Sequence, residues 1–69
     1  MTTHGLMIEL EELIDKHSLH SLLIALINVC DGKAAHLATN WQDHESAKAW
    51  KKVMVALDVA ESKAYDGNL

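Results

Sequence analysis

Five histidines stand in this chain of 69 residues, and histidine is the side chain best suited to bind a metal or move a proton near neutral pH. His36 and His44 are the most informative pair, because a loop between two antiparallel helices would bring them together. Asp43 and Glu45 flank His44 and could add carboxylate ligands for a divalent metal. Histidines beside a surface loop are far commoner than a metal site, which needs several well-placed ligands. We therefore expect no bound metal and keep these four residues as an alternative hypothesis.

The remaining reactive side chains lack the companions that a catalytic site needs. His17 and His20 form an HxxH pair, but no CxxC or HExxH motif accompanies it. Cys30 lies in an apolar row and should be buried and unreactive. The chain has neither a glycine-rich phosphate loop nor a GxSxG motif. Acidic residues near its start fit a solvated helix face: Glu9, Glu11, Glu12 and Asp15. The sequence predicts a protein that is not an enzyme and uses no cofactor.

Composition and charge narrow the classes of partner. The formal net charge is −4 and every basic residue is a lysine. Arginine, the usual reader of phosphates and guanine edges, is absent, so we expect no nucleic-acid binding.

The longest uninterrupted apolar run, Leu22–Ile27, is far shorter than the ~20 residues that cross a bilayer. The start of the chain shows no basic stretch typical of a signal peptide, and the single cysteine fits a reducing compartment. We expect a cytoplasmic protein that does not bind membranes.

The pattern of apolar residues predicts helices throughout. Proline is absent, helix formers dominate, and no alternating run is long enough for a strand. Apolar residues recur at helical spacing in three segments, 6–16, 19–39 and 44–65. The short connection between the second and third segments forces an antiparallel hairpin. We predict one all-α domain over residues 1–69, with a short N-terminal helix followed by a long antiparallel helical hairpin.

Capping residues support these boundaries. Ser18 and Asp43 can each accept a backbone N–H at the start of the second and third helices. Asn40 and Gly67 tolerate the left-handed conformation that commonly ends a helix. Each long helix therefore has its own start and stop signal.

Helical spacing of about 100° per residue assigns one side of each long helix to the contact between them. The second helix presents an inward row of Leu19, Leu23, Leu26, Cys30, Ala34 and Leu37. The third presents Ser46, Trp50, Val53, Leu57, Ala60 and Ala64, with Met54 at the edge. These two rows are the predicted core.

The apolar run Leu22–Ile27 has no polar side, so the hairpin partner cannot cover all of it. Small residues follow the reverse side of the same helix, and two valines stand together on the outer side of the third helix. One alternative is that these residues simply face water. We predict instead a homodimer whose hairpins form a four-helix-bundle-like core, with a tetramer as a further alternative. The predicted interface comprises Ser21, Ile24, Ala25, Asn28, Gly32, Ala35, Val55 and Val59.

Trp41 lies in the predicted loop and has two interpretations. It should cap the open end of the hairpin core; alternatively, it forms an exposed patch with His44 and Lys48, of a composition favoured at binding hot spots. The predicted surface for an unknown protein partner comprises Trp41, Lys48, Lys51 and Lys52.

The sequence thus favours a homodimeric adaptor or regulatory module that acts through protein–protein contact. The alternative, from another class of function, is a helical domain that binds a metal or small ligand through His36, His44 and nearby carboxylates.

Overall fold

The computed structural model describes residues 3–69, which form three helices and no strand. They are α1 (Thr3–His17), α2 (Leu19–Thr39) and α3 (His44–Asp66). α2 and α3 pack against each other as a hairpin, while α1 contacts α2 and not α3. The predicted all-α hairpin with a short preceding helix is confirmed, and the helix boundaries agree within three residues.

Both predicted N-caps are present. The Ser18 side chain accepts a hydrogen bond from the Ser21 backbone N–H at 3.1 Å. Asp43 Oδ1 accepts from the Ser46 backbone N–H at the same distance. Each cap satisfies a donor that the first helical turn would otherwise leave without a partner.

The ends of the long helices differ from the prediction in one respect. Asn40 and Gly67 do cap α2 and α3, but both retain right-handed helical backbone angles. The left-handed positions fall one or two residues later, at Gln42 (φ 51°) and Asn68 (φ 59°). After α3, Asn68 N–H donates to Tyr65 and Leu69 N–H donates to Ala64, the bonding pattern of a Schellman motif. The turn after α3 is therefore built around Asn68, a residue type that tolerates this conformation.

A single residue joins α1 to α2. The Ser18 N–H donates to the Ile14 carbonyl and ends α1, and Ser18 has a φ of 110°. This backbone conformation is strained for a residue with a side chain, so the surrounding contacts must hold it. One such contact is the Leu19 N–H, which donates to the Leu69 carbonyl at 2.9 Å. The turn after α3 thus fixes the start of α2.

The molecule is open. Its principal extents are 37 × 32 × 14 Å and its radius of gyration is 13.9 Å, whereas a compact chain of this length has a radius of about 11 Å. A packed helix pair is roughly 14 Å wide between Cα atoms. The 32 Å extent therefore reflects α1, which projects from the hairpin.

Small residues form the centre of the contact between α2 and α3. Across residues 3–69 the buried apolar side chains are Cys30, Ala34, Ala47 and Ala64, and no large side chain is fully buried. Ala34 has no exposed surface at all. Alanines permit close approach of two helices, but they remove little apolar area from water. Bulky residues beside them, among them Leu23, Trp50 and Leu57, are covered only in part, so the hairpin gains less from the hydrophobic effect than an enclosed core would.

The two predicted rows are correct at most positions, since eleven of their thirteen residues are buried or partly covered, but both helices are turned far enough to expose two bulky members. Leu26 and Val53, both predicted to face inward, are 38% and 48% exposed. Ala47 is buried in place of Ser46, and Met54 is more covered than Val53. The physical reason is that Ala47 and Ala34 let the helices approach on this side. This rotation of the helices brings the bulkier Leu26 and Val53 to the surface.

α2 is also long and apolar enough to span a bilayer by length and composition alone. The core helix of a soluble protein passes the same test, and only a small share of α2 is buried here. The expectation that this chain does not bind membranes stays a prediction.

Candidate functional site

One side of the hairpin carries a continuous apolar surface, which we call the apolar face. The contact line is the row of buried residues along which α2 and α3 touch. In an antiparallel pair, residues that lie to the same rotational side of this line on each helix share one face of the hairpin. Ile27 and Met54 line a groove together and so mark one face. The apolar residues that lie to the other side of the contact line share the second face. The apolar face comprises Leu22, Leu26, Val29, Ala49, Val53 and Ala56.

The alignment of the two helices makes this surface continuous. His20 of α2 lies beside Glu61 of α3, and the register of the hairpin therefore brings Val29 to the level of Val53. Val29, Leu26 and Val53 are all exposed in the single chain. Lys33 follows Val29 by one turn on the same side of α2, so helical spacing places this charged residue on the face, level with Ala49. An apolar surface of this extent is typical of a contact surface.

The opposite face is chemically mixed. Apolar residues line its groove together with acidic and basic ones, namely Ile27, Asp31, Lys51, Met54, Val55 and Asp58. Charged residues are depleted at the centres of protein interfaces. The mixed face is therefore the less suitable of the two for burial.

The eight residues predicted for the dimer interface are all exposed in the single chain. Most members of the small-residue row lie on the outer side of α2, away from α3, whereas Val59 lies on the outer side of α3. The two parts of this predicted interface thus occupy opposite edges of the hairpin. A Cβ atom added at Gly32 would meet nothing within 4 Å, so the row is open at this position. The dimer itself stays a prediction.

α1 has an apolar side that the rest of the chain leaves mostly uncovered. Leu6, Met7, Leu10 and Leu13 share this side by helical spacing, and all four are exposed. Near its end, α1 forms a groove with α2 that is lined by Leu13, His17, Ser21, Leu22 and Ala25. This groove adjoins the apolar face at Leu22.

A polar link between α2 and α3 was absent from the sequence-based prediction. His20 Nε2 and Glu61 Oε1 are 2.5 Å apart, and both side chains are about three-quarters covered. The His20 ring also contacts the Tyr65 ring, with 5.3 Å between centroids. The signal in the sequence was the inward spacing of Glu61, which falls three residues before Ala64 and four after Leu57. A carboxylate on an inward row requires a partner, and His20 provides it.

The predicted metal ligands do not form a cluster. Within residues 3–69, no three His, Cys, Asp or Glu side chains are grouped so as to hold a metal ion. His36 Nδ1 lies 2.8 Å from the Asn40 amide, and its Nε2 accepts a hydrogen bond from Trp41 Nε1 at 3.0 Å. A metal at His36 would have to displace one of these contacts.

Asp43 already serves as the α3 cap. Hydrogen bonds from the Ser46 side chain and backbone hold the pKa of this carboxyl below its ordinary value of 3.8, with a smaller contribution from His44. A hydrogen bond to the charged form favours that form. The carboxylate is thus committed to the start of α3.

The favoured interpretation of Trp41, as a cap over the hairpin core, is wrong. Its side chain is 70% exposed, and its ring contacts the His36 ring instead of the core. The loop backbone explains this position, because the left-handed Gln42 turns the chain directly after Trp41. The alternative patch with His44 and Lys48 also lacks a described contact, since the Trp41 partner is on α2. Lys48, Lys51 and Lys52 are exposed on α3.

No family model, no curated protein and no solved structure matches this chain.

Proposed function

We propose that this chain is a non-enzymatic interaction module, an adaptor or regulatory protein that acts through protein–protein contact and has a homodimer as its basal form. One observation carries the proposal. In residues 3–69 no large side chain is fully buried, while fourteen large apolar side chains are exposed. Chains of this size rarely obtain more than about 3–5 kcal/mol from a single core, and assembly commonly supplies the rest.

The exposed area supports the same proposal. The single chain exposes 5404 Å², whereas a folded monomer of 7.6 kDa exposes about 4,300 Å². The excess of roughly 1,100 Å² per chain is comparable to the ~800 Å² that each partner buries in a standard interface. Contact with a second copy would bring the chain back to the ordinary range.

The chemistry of the reactive side chains favours a binding protein over an enzyme. His20 is held by Glu61, Asp43 caps α3, and Cys30 is buried in the hairpin contact. Each has a structural role that would compete with a catalytic one.

The homodimer is tested by light scattering combined with thermal unfolding over a range of protein concentrations. We expect a mass of about twice 7.6 kDa and a melting temperature that rises with concentration, because dimerisation stabilises only the folded state. A monomer with a cooperative, concentration-independent transition would contradict the proposal.

Metal analysis of protein purified without a His-tag tests the metal-binding alternative. One zinc or nickel per chain, lost on substitution of His36 and His44 by alanine, would favour the metal-binding alternative.

We place recognition of a further protein partner on Trp41 and the lysines of α3, Lys48, Lys51 and Lys52. Exposed lysines suit an acidic partner, and an exposed tryptophan is a residue type that is common at binding hot spots. Reversal of the three lysines to glutamate should abolish capture of a partner identified with the wild-type protein and preserve helical circular dichroism. Lys63→Glu, near the end of α3, is the control. Unchanged capture by the triple variant would show that these lysines only solubilise the protein.

A further inference from the structure

Two surfaces of this chain require cover that the chain itself does not supply. The apolar face lies on one side of the hairpin, and the apolar side of α1 lies on the helix that projects from it. An isolated helix of 15 residues is marginal in water, so α1 needs a packing surface for more than its last turns. α3 does not provide that surface, because α1 does not reach it.

We propose that the apolar face is the self-association surface, and that α1 of each copy lies across the hairpin of the other. This inference rests on the proposed homodimer and names its contact surface. It replaces the small-residue row of α2 as the centre of the interface. Two hairpins packed face to face then form a four-helix core whose centre holds Leu26, Val29 and Val53.

Area and charge both fit a second copy. The excess exposure of roughly 1,100 Å² per chain is enough for a standard interface, which buries ~800 Å² per partner. Each chain carries a net charge of −4, so two copies associate best through a surface that lacks carboxylates. The apolar face meets that condition, whereas the mixed face carries Asp31 and Asp58. Like charges brought together on the mixed face would oppose association.

A lipid surface fits α1 less well than a second copy does. Helices that lie on membranes carry lysine or arginine beside their apolar side, where they meet anionic headgroups. α1 has Lys16 as its one lysine and carries four carboxylates: Glu9, Glu11, Glu12 and Asp15. This helix would repel anionic lipid, but it would not repel the apolar face of a second copy, which lacks carboxylates.

Two valines on α3 offer a matched test. Val53 is 48% exposed on the apolar face, and Val59 is 54% exposed on the outer side of the same helix. In a two-fold dimer a substitution in the interface acts twice. We expect Val53→Lys to raise the dimer dissociation constant by at least about tenfold, as measured by sedimentation equilibrium. Val59→Lys should leave it within about twofold.

Isotope-filtered NMR on a mixture of labelled and unlabelled wild-type protein provides a second readout, which does not depend on a variant that folds. Intermolecular contacts from the methyl groups of Val29 and Val53 would support the inference. Intermolecular contacts from Val55 and Val59 instead would overturn the proposed interface, although the homodimer would stand. The same holds if the Val59→Lys variant dissociates and the Val53→Lys variant does not.

The remaining outcomes concern the wild-type protein alone. A wild-type monomer would contradict the proposed function itself. A monomer that co-sediments with vesicles of phosphatidylcholine and phosphatidylglycerol would show that lipid, and not a second copy, covers the apolar face.

Discussion

The contact line between α2 and α3 and the apolar face differ in a way that reverses the usual arrangement of a small domain. The contact line buries small side chains, Cys30, Ala34, Ala47 and Ala64. The apolar face exposes bulky ones, among them Leu26, Val29 and Val53. Large apolar residues are ordinarily the ones inside. The difference teaches that the hairpin contact fixes how the helices approach, while a set of bulky apolar side chains is left exposed on one face.

The two regions also differ in how they use polar groups. The contact line includes the link between His20 and Glu61, where each group satisfies the other. The apolar face includes Lys33 one turn beyond Val29, and a lysine can extend its charged end into water while its stem stays on an apolar surface. Specificity of the hairpin thus depends on a polar pair, whereas the proposed association depends on apolar area.

The largest expected effect is on the contact line. Ala34 has no exposed surface, so Ala34→Asp would bury an unpaired charge at a cost of several kcal/mol. In a chain this small the total stability is about 5 kcal/mol, and we expect the helical circular dichroism to be lost. Ala35→Asp changes the exposed neighbour and is the control, which should remain folded. Survival of the Ala34 variant would show that the contact line is not the fixed part of the fold.

The next effect concerns the projecting helix. Leu10 lies on the apolar side of α1 and is 37% exposed, whereas Ile8 lies among the carboxylates and is 47% exposed. If α1 lies across a second copy, Leu10→Lys should weaken the dimer by about tenfold, or roughly 1.4 kcal/mol. Ile8→Lys should have little effect although it alters the more exposed residue. Equal effects in analytical ultracentrifugation would mean that α1 makes no contact in the dimer.

Gly32 distinguishes the apolar face from the small-residue row of α2. A Cβ atom there meets nothing within 4 Å of the chain, and alanine is favoured over glycine inside a helix by about 0.5–1 kcal/mol. We therefore expect Gly32→Ala to stabilise the protein by this amount in urea unfolding and to leave the dimer intact. A dimer weakened by this methyl group would return the interface to the small-residue row.

The smallest effect comes from the α3 cap. The pKa of Asp43 is lowered in the folded chain from its ordinary value of 3.8. Its contribution to stability is therefore complete above that value and is lost as the pH falls through the folded pKa. Asp43→Asn keeps an acceptor at the cap and cannot titrate, so its stability should change less with pH in this acid range. Glu9→Gln, on α1, removes a carboxylate away from the cap and should leave the acid dependence of the wild type.

Much of the fold could be predicted because its signals are local. Ser18 and Asp43 act as caps through their own side chains, and the apolar spacing of each helix is a property of one segment. The buried position of Cys30 was likewise predictable from its place in an apolar row. The outward position of Trp41 was not, because it depends on the backbone turn at Gln42 and on a contact with His36.

The sequence by itself determined the three helices, their limits and the antiparallel order of the hairpin, since these follow from local hydrogen bonding and from a short connection. Only the tertiary structure decided which residues of each apolar helix face inward. α2 is apolar on several sides, so its periodicity leaves its rotation open by the ~40° that separates Leu26 from Cys30. Close approach at Ala34 and Ala47, with the pairing of His20 and Glu61, fixed that rotation. The same rotation turned Leu26 and Val53 outward and created the apolar face.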